Sequence, residues 1–314
     1  MVDYKESDKM FDVICDQYHL LQMMSRFGIS PGFGEKTVSE VCEAAGVDAQ
    51  TFLAVAGYMK NGRESAPYYV GRISVQALMH YLRQAHTYFL NYQLPTIRRK
   101  LIGAIDCSAA NEVAYLVLKF YDEYMGDVRR HMAYEDEHVF VYVDQLLAGH
   151  ACENFRITQF ARAHVGIDKK LQELKNLIIK YYSAPDAAEL LNNVIFDIFN
   201  CEDDLRQHCH VEDDLFVPAV ELLEQQVAQG EAPVATDIAA APPAEQLSER
   251  EKEIVCGIVR GQSNKEVADN LFISVNTVLT HRKNIFRKLD IHSVSGLTIY
   301  AIARGLVKLD EVKL

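Results

Sequence analysis

A chain of 314 residues, 49% of them hydrophobic, is long enough to bury a sizeable core and to hold about two domains. It contains no 18-residue apolar span, and its seven scattered cysteines form no CxxC pair, which argues against a membrane protein, a disulfide framework and a cysteine zinc site. The net charge of −12 is uneven: residues 245–314 hold 11 Lys and Arg against 9 Asp and Glu, while the preceding 244 hold 21 against 35. Only the tail is therefore expected to approach a polyanion.

The opening "MVDYKESDKMFDVICDQY" lacks the charged-then-apolar order of a signal peptide, and a cytoplasmic protein is expected. Residues 1–65 read as a small helical unit, with "GISPGFGEKTV" as a glycine-rich turn between two helices. No alternating strand pattern follows, and the fold class is all-α.

Residues 70–226 predict four long helices joined by short connections, hence an up-down four-helix bundle. The first starts near Ser74, with a kink or short break at Pro95. The second runs from the cap candidate Ser108 to about Gly149, the third over about 154–183, and the fourth from Pro185-Asp186 to about 226. The stretch 227–246, within "QVAQGEAPVATDIAAAPPAEQ", has three prolines and no apolar period, and reads as a linker.

Two stretches of the bundle raise a chemical question. "HMAYEDEHVF" and "HCHVEDDLFVP" each place a histidine four residues before a glutamate, His131 with Glu135 and His208 with Glu212. That spacing puts each pair on one helix face. His86, in "LMHYLRQAHTYFL", and His164, in "ITQFARAHVGI", lie in apolar surroundings on the other two helices. Counted from the helix ends at 1.5 Å per residue, all six fall within a slab roughly 15–27 Å from one end of the bundle. Several polar groups converging on a core are costly unless something pairs them, and a metal centre does so.

Four imidazoles and two carboxylates suit two metal ions, with the glutamates as bridges and a position left open. Zinc makes little use of that vacancy, whereas iron there can meet oxygen, peroxide or nitric oxide. The six residues His86, His131, Glu135, His164, His208 and Glu212 resemble, in order and approximate spacing, the ligand set of hemerythrin-like domains. Within these the resemblance is nearest to the di-iron proteins that repair iron centres (the RIC or ScdA type), and it implies two non-haem irons. "LQELKNLI" and "HxxxEDDLFVP" look like motifs of that type; "HMAYEDEHVF" is looser and lacks the proline. Residues 1–65 are also similar to its N-terminal segment, but Ser30, Pro31 and Gly32 stand where it carries adjacent cysteines after Gly-Ile. His138, three residues after Glu135, is a further candidate, since hemerythrins proper use a fifth histidine. His210 is expected at the surface.

The tail, 247–314, has its own logic. Ser248 and Glu251 predict a capping box opening a helix that stops at Gly261. Asn264 is expected to cap a second short helix, "FIS" to form a tight turn, and Ser274 to cap a third, "VNTVLTHRKNIFRKL". Two helices joined by about three residues, the second polar then basic, make a helix-turn-helix within a four-helix domain. Besides capping, Ser274 is placed among the residues that bind double-stranded DNA; Asn276, Thr277 and Thr280 are expected to meet base edges, and Lys265, His281, Arg282, Lys283, Arg287 and Lys288 to meet phosphates. Val267, Ala268, Val278, Ile285 and Leu289 are read as core. The segment resembles the LuxR/GerE-type DNA-binding domain over its full length, which implies dimers on paired half-sites. It differs in Leu279, where a lysine is common, and in lacking an arginine near Ser295.

Taken together, these readings predict a non-enzymatic, homodimeric transcriptional regulator whose di-iron bundle senses oxygen, peroxide or nitric oxide. Two alternatives stay open: a di-iron factor that handles nitric oxide or peroxide, or repairs iron, while tethered to DNA, and a regulator whose bundle holds haem or another ligand.

Overall fold

The protein is described by a computed structural model over residues 4–105, 112–150, 156–160, 167–182, 187–229 and 247–312. The described residues are helical, apart from turns and one isolated antiparallel bridge between Lys9 and Thr37. None of their helices is long and apolar enough to cross a membrane. The chain divides into two compact units, Met1–Ala241 and Pro242–Leu314, each taken by itself.

The first unit opens with short helices, α1 (Met10–Asp16), α2 (Leu20–Arg26), α3 (Val38–Ala45), α4 (Ala49–Asn61) and α5 (Ala66–Val70). The glycine-rich turn lies between α2 and α3 as expected. It ends in a capping box in which Thr37 accepts from the Glu40 amide and the Glu40 carboxylate accepts from the Thr37 amide.

The bundle follows. Ser74 caps α6 (Val75–Tyr88), which passes through a π-helical turn at Phe89–Gln93 into α7 (Leu94–Ala104). Helix α8 (Glu112–Tyr134) passes through a π turn at Glu135–Val139 into α9 (Phe140–Leu147). Next come α10 (Ile157–Phe160) and α11 (Ile167–Tyr181). Helix α12 (Ala188–Val211) then passes through a π turn at Glu212–Phe216 into α13 (Val217–Ala228). Helix α7 packs on α8 and α12, α11 on α8 and α12, and α6 on α9, so the long arms close into an antiparallel ring. The cap candidate Ser108 and the turn at Pro185-Asp186 lie outside the described residues.

At Pro95 the helix neither breaks nor restarts. A proline donates no amide hydrogen, and its ring crowds the carbonyl four residues back. That carbonyl belongs to Asn91, inside the π turn, where the wider winding gives it room. Pro218 stands in the same relation to Asp214 and the turn at Glu212–Phe216.

Two apolar cores fill this unit. One joins the N-terminal helices to half of the bundle through Met23, Phe52, Leu78, Phe140, Leu215 and Phe216; the other fills the remaining half with Phe89, Leu101, Tyr121, Leu174, Ile178 and Ile198. Each such fully buried side chain contributes about 1.5–3 kcal/mol. On α6 the change of core falls between Leu82 and Ala85, on the α8 arm between Met132 and Val139, and on the α12 arm between Leu205 and Val211. On these three arms the two cores meet at one seam.

The second unit contains α14 (Glu249–Val259), α15 (Asn264–Leu271), α16 (Val275–Lys288) and α17 (Val294–Ala303). The Ser248–Glu251 capping box forms as predicted. The cap of α15, however, is Ser263 in a second capping box with Glu266, and Asn264 is the first helical residue. A serine three positions before a glutamate satisfies two amides reciprocally, which Asn264 cannot do. Gly257 lets α15 approach: a Cβ there would stand 2.8 Å from Val267 Cγ2. Ile254, Val255, Val267, Val278, Ile285 and Leu297 fill the core. Of the residues read as core in the tail, Leu289 is only partly buried, packed against its edge.

Candidate metal centre and nucleic-acid interface

The seam between the two apolar cores is where the polar side chains meet. His86 reaches it from α6, Glu135 from the first position of the π turn after α8, and His208 and Glu212 from either side of the α12 boundary. All four are buried, and one donor atom from each lies within 4.8 Å of every other. His86 Nε2 is 3.1 Å from Glu135 Oε2 and 3.8 Å from Glu212 Oε1; His208 Nε2 is 3.2 Å from Glu212 Oε1. His131, partly exposed, stands beside the group, its Nε2 2.8 Å from Glu135 Oε1. His164 lies outside the described residues.

These separations are those of donors around a shared cation. Metal bonds to imidazole and carboxylate of roughly 2.0–2.2 Å place adjacent donors about 3 Å apart. His208 Nδ1 has no hydrogen-bond partner among the described residues, and His208 Nε2 and His86 Nε2 face only the carboxylates of Glu212 and Glu135. Two buried imidazoles and two buried carboxylates crowded this closely are costly to leave on their own, and a cation is what this donor set fits. The surroundings are dry and aromatic: Phe140 stacks on His86, Phe89 meets His208 edge-on, and Phe216 packs on Phe140. Burial pushes the His86 imidazole towards its neutral form, but the carboxylates of Asp136, Glu135 and Glu212 outweigh it and hold the group well above the usual histidine range.

The N-terminal helices brace the same arm. The buried Arg26 of α2 donates to both oxygens of Asp204, at 2.7 and 2.6 Å, and its guanidinium lies 5.0 Å from the centre of the Phe89 ring. Asp214, two residues past Glu212, accepts from Tyr58 at 2.6 Å and pairs with Arg63 at 2.9 Å.

In the second unit α15 and α16 form the helix-turn-helix, the turn passing through Phe272 at φ 54°. Ser274 caps α16 by accepting from the Thr277 amide. Lys265, Ser274, Asn276, Thr280, Lys283 and Arg287 are exposed; Thr277, His281, Arg282 and Lys288 are half-buried. Arg282 donates to Asn264 at 3.3 Å, and Lys288 is drawn to the Glu251 carboxylate at 3.0 Å. That contact moves much of the Lys288 charge away from a phosphate role.

Family comparison matches residues 77–220 to the hemerythrin HHE cation-binding domain and residues 245–301 to the luxR family of bacterial regulatory proteins. The chain carries both domains. Its luxR-family domain has wide company. The chain is 45% identical over 65 residues to the transcriptional regulatory protein LiaR of Bacillus subtilis, covering 21% of this chain and 31% of LiaR. It is 48% identical over 61 residues to the transcriptional regulatory protein MctR of Rhizobium johnstonii, covering 19% and 28%. With the oxygen regulatory protein NreC of Staphylococcus haemolyticus it shares 41% over 71 residues, 23% of this chain and 33% of NreC. The chain thus spans about a third of the length of these relatives. No solved structure matches it.

Within the hemerythrin domain one residue escaped the sequence reading. Asp136, next to Glu135, accepts from His86 Nδ1 at 3.0 Å and so fixes the tautomer that turns Nε2 towards the cluster. The available signal was an acid beside a candidate ligand in "YEDEH", indistinguishable in sequence from a solvated charge. His138 goes the other way: it is exposed and stacks on Tyr134, away from the buried group. His210 is exposed as expected.

Proposed function

We propose that this protein is a DNA-binding transcriptional regulator whose hemerythrin domain holds two iron ions and reports oxygen, peroxide or nitric oxide to its luxR-family domain. The observation that carries the reading is the buried group His86, Glu135, His208 and Glu212 in the same chain as a helix-turn-helix. His131 and His164 complete the proposed ligand set. Bound iron supplies a valence that changes on meeting a small oxidant, and a site where a diatomic gas can bind.

The chain's own residues supply the rest. Asp136 orients His86, and Phe89, Phe140 and Phe216 keep bulk water from the donors. Glu135 and Glu212 each open a π turn, so a change in how these carboxylates are held acts directly on helix winding. Arg26, Tyr58 and Arg63 connect that winding to the N-terminal helices. The name of NreC, an oxygen regulatory protein, fits an oxidant-linked reading of the tail domain's relatives. Such a regulator works in the cytoplasm and, as a homodimer, reads paired half-sites.

The test is anaerobic purification, elemental analysis for iron, and DNA titration of the metal-free, reduced and oxidised forms. About two irons per chain, lost on replacing His131 and His208 by alanine, with an affinity that differs between forms, is the expected result. Identical affinity in all three forms overturns the sensing model. Steady consumption of nitric oxide or peroxide would instead favour the enzymatic alternative.

A further inference from the structure

Asn276, Leu279, Thr280, Lys283 and Arg287 recur at i, i+3, i+4, i+7 and i+11 and form an exposed face of α16. Its second half is basic, as a helix entering a phosphate-lined groove requires. Its first half is unexpectedly apolar. Leu279 is 45% exposed and Val275 39%, and Phe272, in the turn just before, is 95% exposed.

The hydroxyls nearby do not offset this. Thr280 Oγ1 donates its hydrogen back to the Asn276 carbonyl at 2.9 Å. Ser274 Oγ and Thr277 Oγ1 lie 2.8 Å apart, and Ser274 Oγ also accepts from the Thr277 amide. Arg282 is tied to Asn264 and Lys288 to Glu251. On the leading half of the exposed face these hydroxyls are partly engaged within the helix, and the Asn276 amide is the longest polar side chain free to reach a base.

In the major groove every base edge offers hydrogen-bonding groups, and thymine alone adds a methyl. A leucine set against a donor or acceptor strips water from it and returns nothing, whereas against a methyl it loses nothing. We infer that Leu279 is a specificity-determining residue that reads the C5-methyl of a thymine in each half-site, with Asn276 supplying the neighbouring polar contact. This rests on the DNA-binding reading above. Lys283, Arg287 and Lys265, exposed around the apolar patch, commit it to a nucleic-acid groove rather than to a second protein surface.

The full-length protein, metal-free and iron-loaded, is mixed with a pool of random-sequence duplexes, and the retained duplexes are sequenced. The tightest is remade with each thymine replaced in turn by deoxyuridine, and binding is followed by fluorescence anisotropy. One thymine per half-site should weaken binding about three- to tenfold when its methyl is removed. The Leu279→Ala variant should lose that sensitivity, and Leu279→Lys should shift the selected base towards guanine. Leu279 is exposed, so neither variant threatens folding. If no thymine is sensitive, or if Leu279→Ala retains the full penalty, the inference fails while the regulator reading stands. If neither form retains any duplex, the regulator reading fails and this inference with it.

Discussion

Asp136 Oδ1 lies 3.0 Å from His86 Nδ1, the ring nitrogen opposite the one that faces Glu135 and Glu212. An ionised carboxylate only accepts, so in the neutral, metal-binding imidazole this contact keeps the proton on Nδ1 and leaves the lone pair on Nε2 aimed at the cluster. Replacing Asp136 with alanine is therefore expected to weaken metal affinity about 10–100-fold without changing the number of ions bound at saturation. Asparagine, whose carbonyl can still accept, should fall between. Metal titration with a competing chelator measures both quantities, and an unchanged affinity in Asp136→Ala would remove the residue from the site.

Metal removal should destabilise the first unit by mass action. At a free-metal concentration 100 times the dissociation constant, the bound state gains about 2.7 kcal/mol, which a chelator abolishes. The three carboxylates around His86 hold its proton well above the usual histidine range in the metal-free protein. Its raised pKa stabilises the metal-free fold fully below about pH 6.5, and the contribution is lost as pH rises through the folded value. The metal must displace that proton, so uptake weakens as pH falls. Chelator-dependent melting at several pH values tests the pair; metal-dependent stabilisation that does not vary with pH would contradict it.

Arg26 and Asp204 form a largely buried, doubly hydrogen-bonded pair beside Phe89. Removing the guanidinium alone strands Asp204, and Arg26→Ala should cost about 3–5 kcal/mol of the first unit's stability. Replacing both partners with apolar residues of similar volume, Arg26→Met with Asp204→Leu, should recover most of it. Denaturant titration of the full chain decides. A double variant no more stable than the single one would show that the pair does more than satisfy itself.

Glu251 joins the cap of α14 to Lys288 at the end of α16. Burial raises its carboxyl pKa, but the Ser248 amide and hydroxyl and the Lys288 ammonium outweigh that and hold it below the usual range. Its contribution is present above about pH 4.3 and disappears as pH falls through the lowered folded value. Glu251→Gln should cost the second unit about 1 kcal/mol at neutral pH and flatten its acid dependence. Melting curves at pH 7 and pH 3 report both effects.

Local chemistry made much of this legible in the sequence. The all-α class, the caps at Ser74, Ser248 and Ser274, and the turn at "FIS" follow from spacing and side-chain donors within a few residues. The shared level of the histidines could be counted along helices, and four of the six side chains do stand together. Longer-range geometry could not be read that way. Nothing in "YEDEH" marks Asp136 as the partner of a histidine 50 positions earlier, because the π turn that presents it is a tertiary accommodation. Pro95 suggests a kink or short break, but a proline signals a kink as readily as a wider turn, and Pro218 reads only as part of a motif. At Ser263 the reading failed for a local reason, since a capping box with Glu266 outcompeted the adjacent asparagine.

The turn at Glu212–Phe216 also sets a phase. A regular helix advances about 100° per residue, so one extra residue in a turn rotates everything after it by that amount. Val220 and Leu223 of α13 face the core because the count includes that residue. Deleting one position between Asp213 and Phe216 would leave Glu212 in the chain yet swing α13 about its own axis, turning both side chains away from the core. The same five residues thus present a carboxylate on one side and index a whole helix on the other.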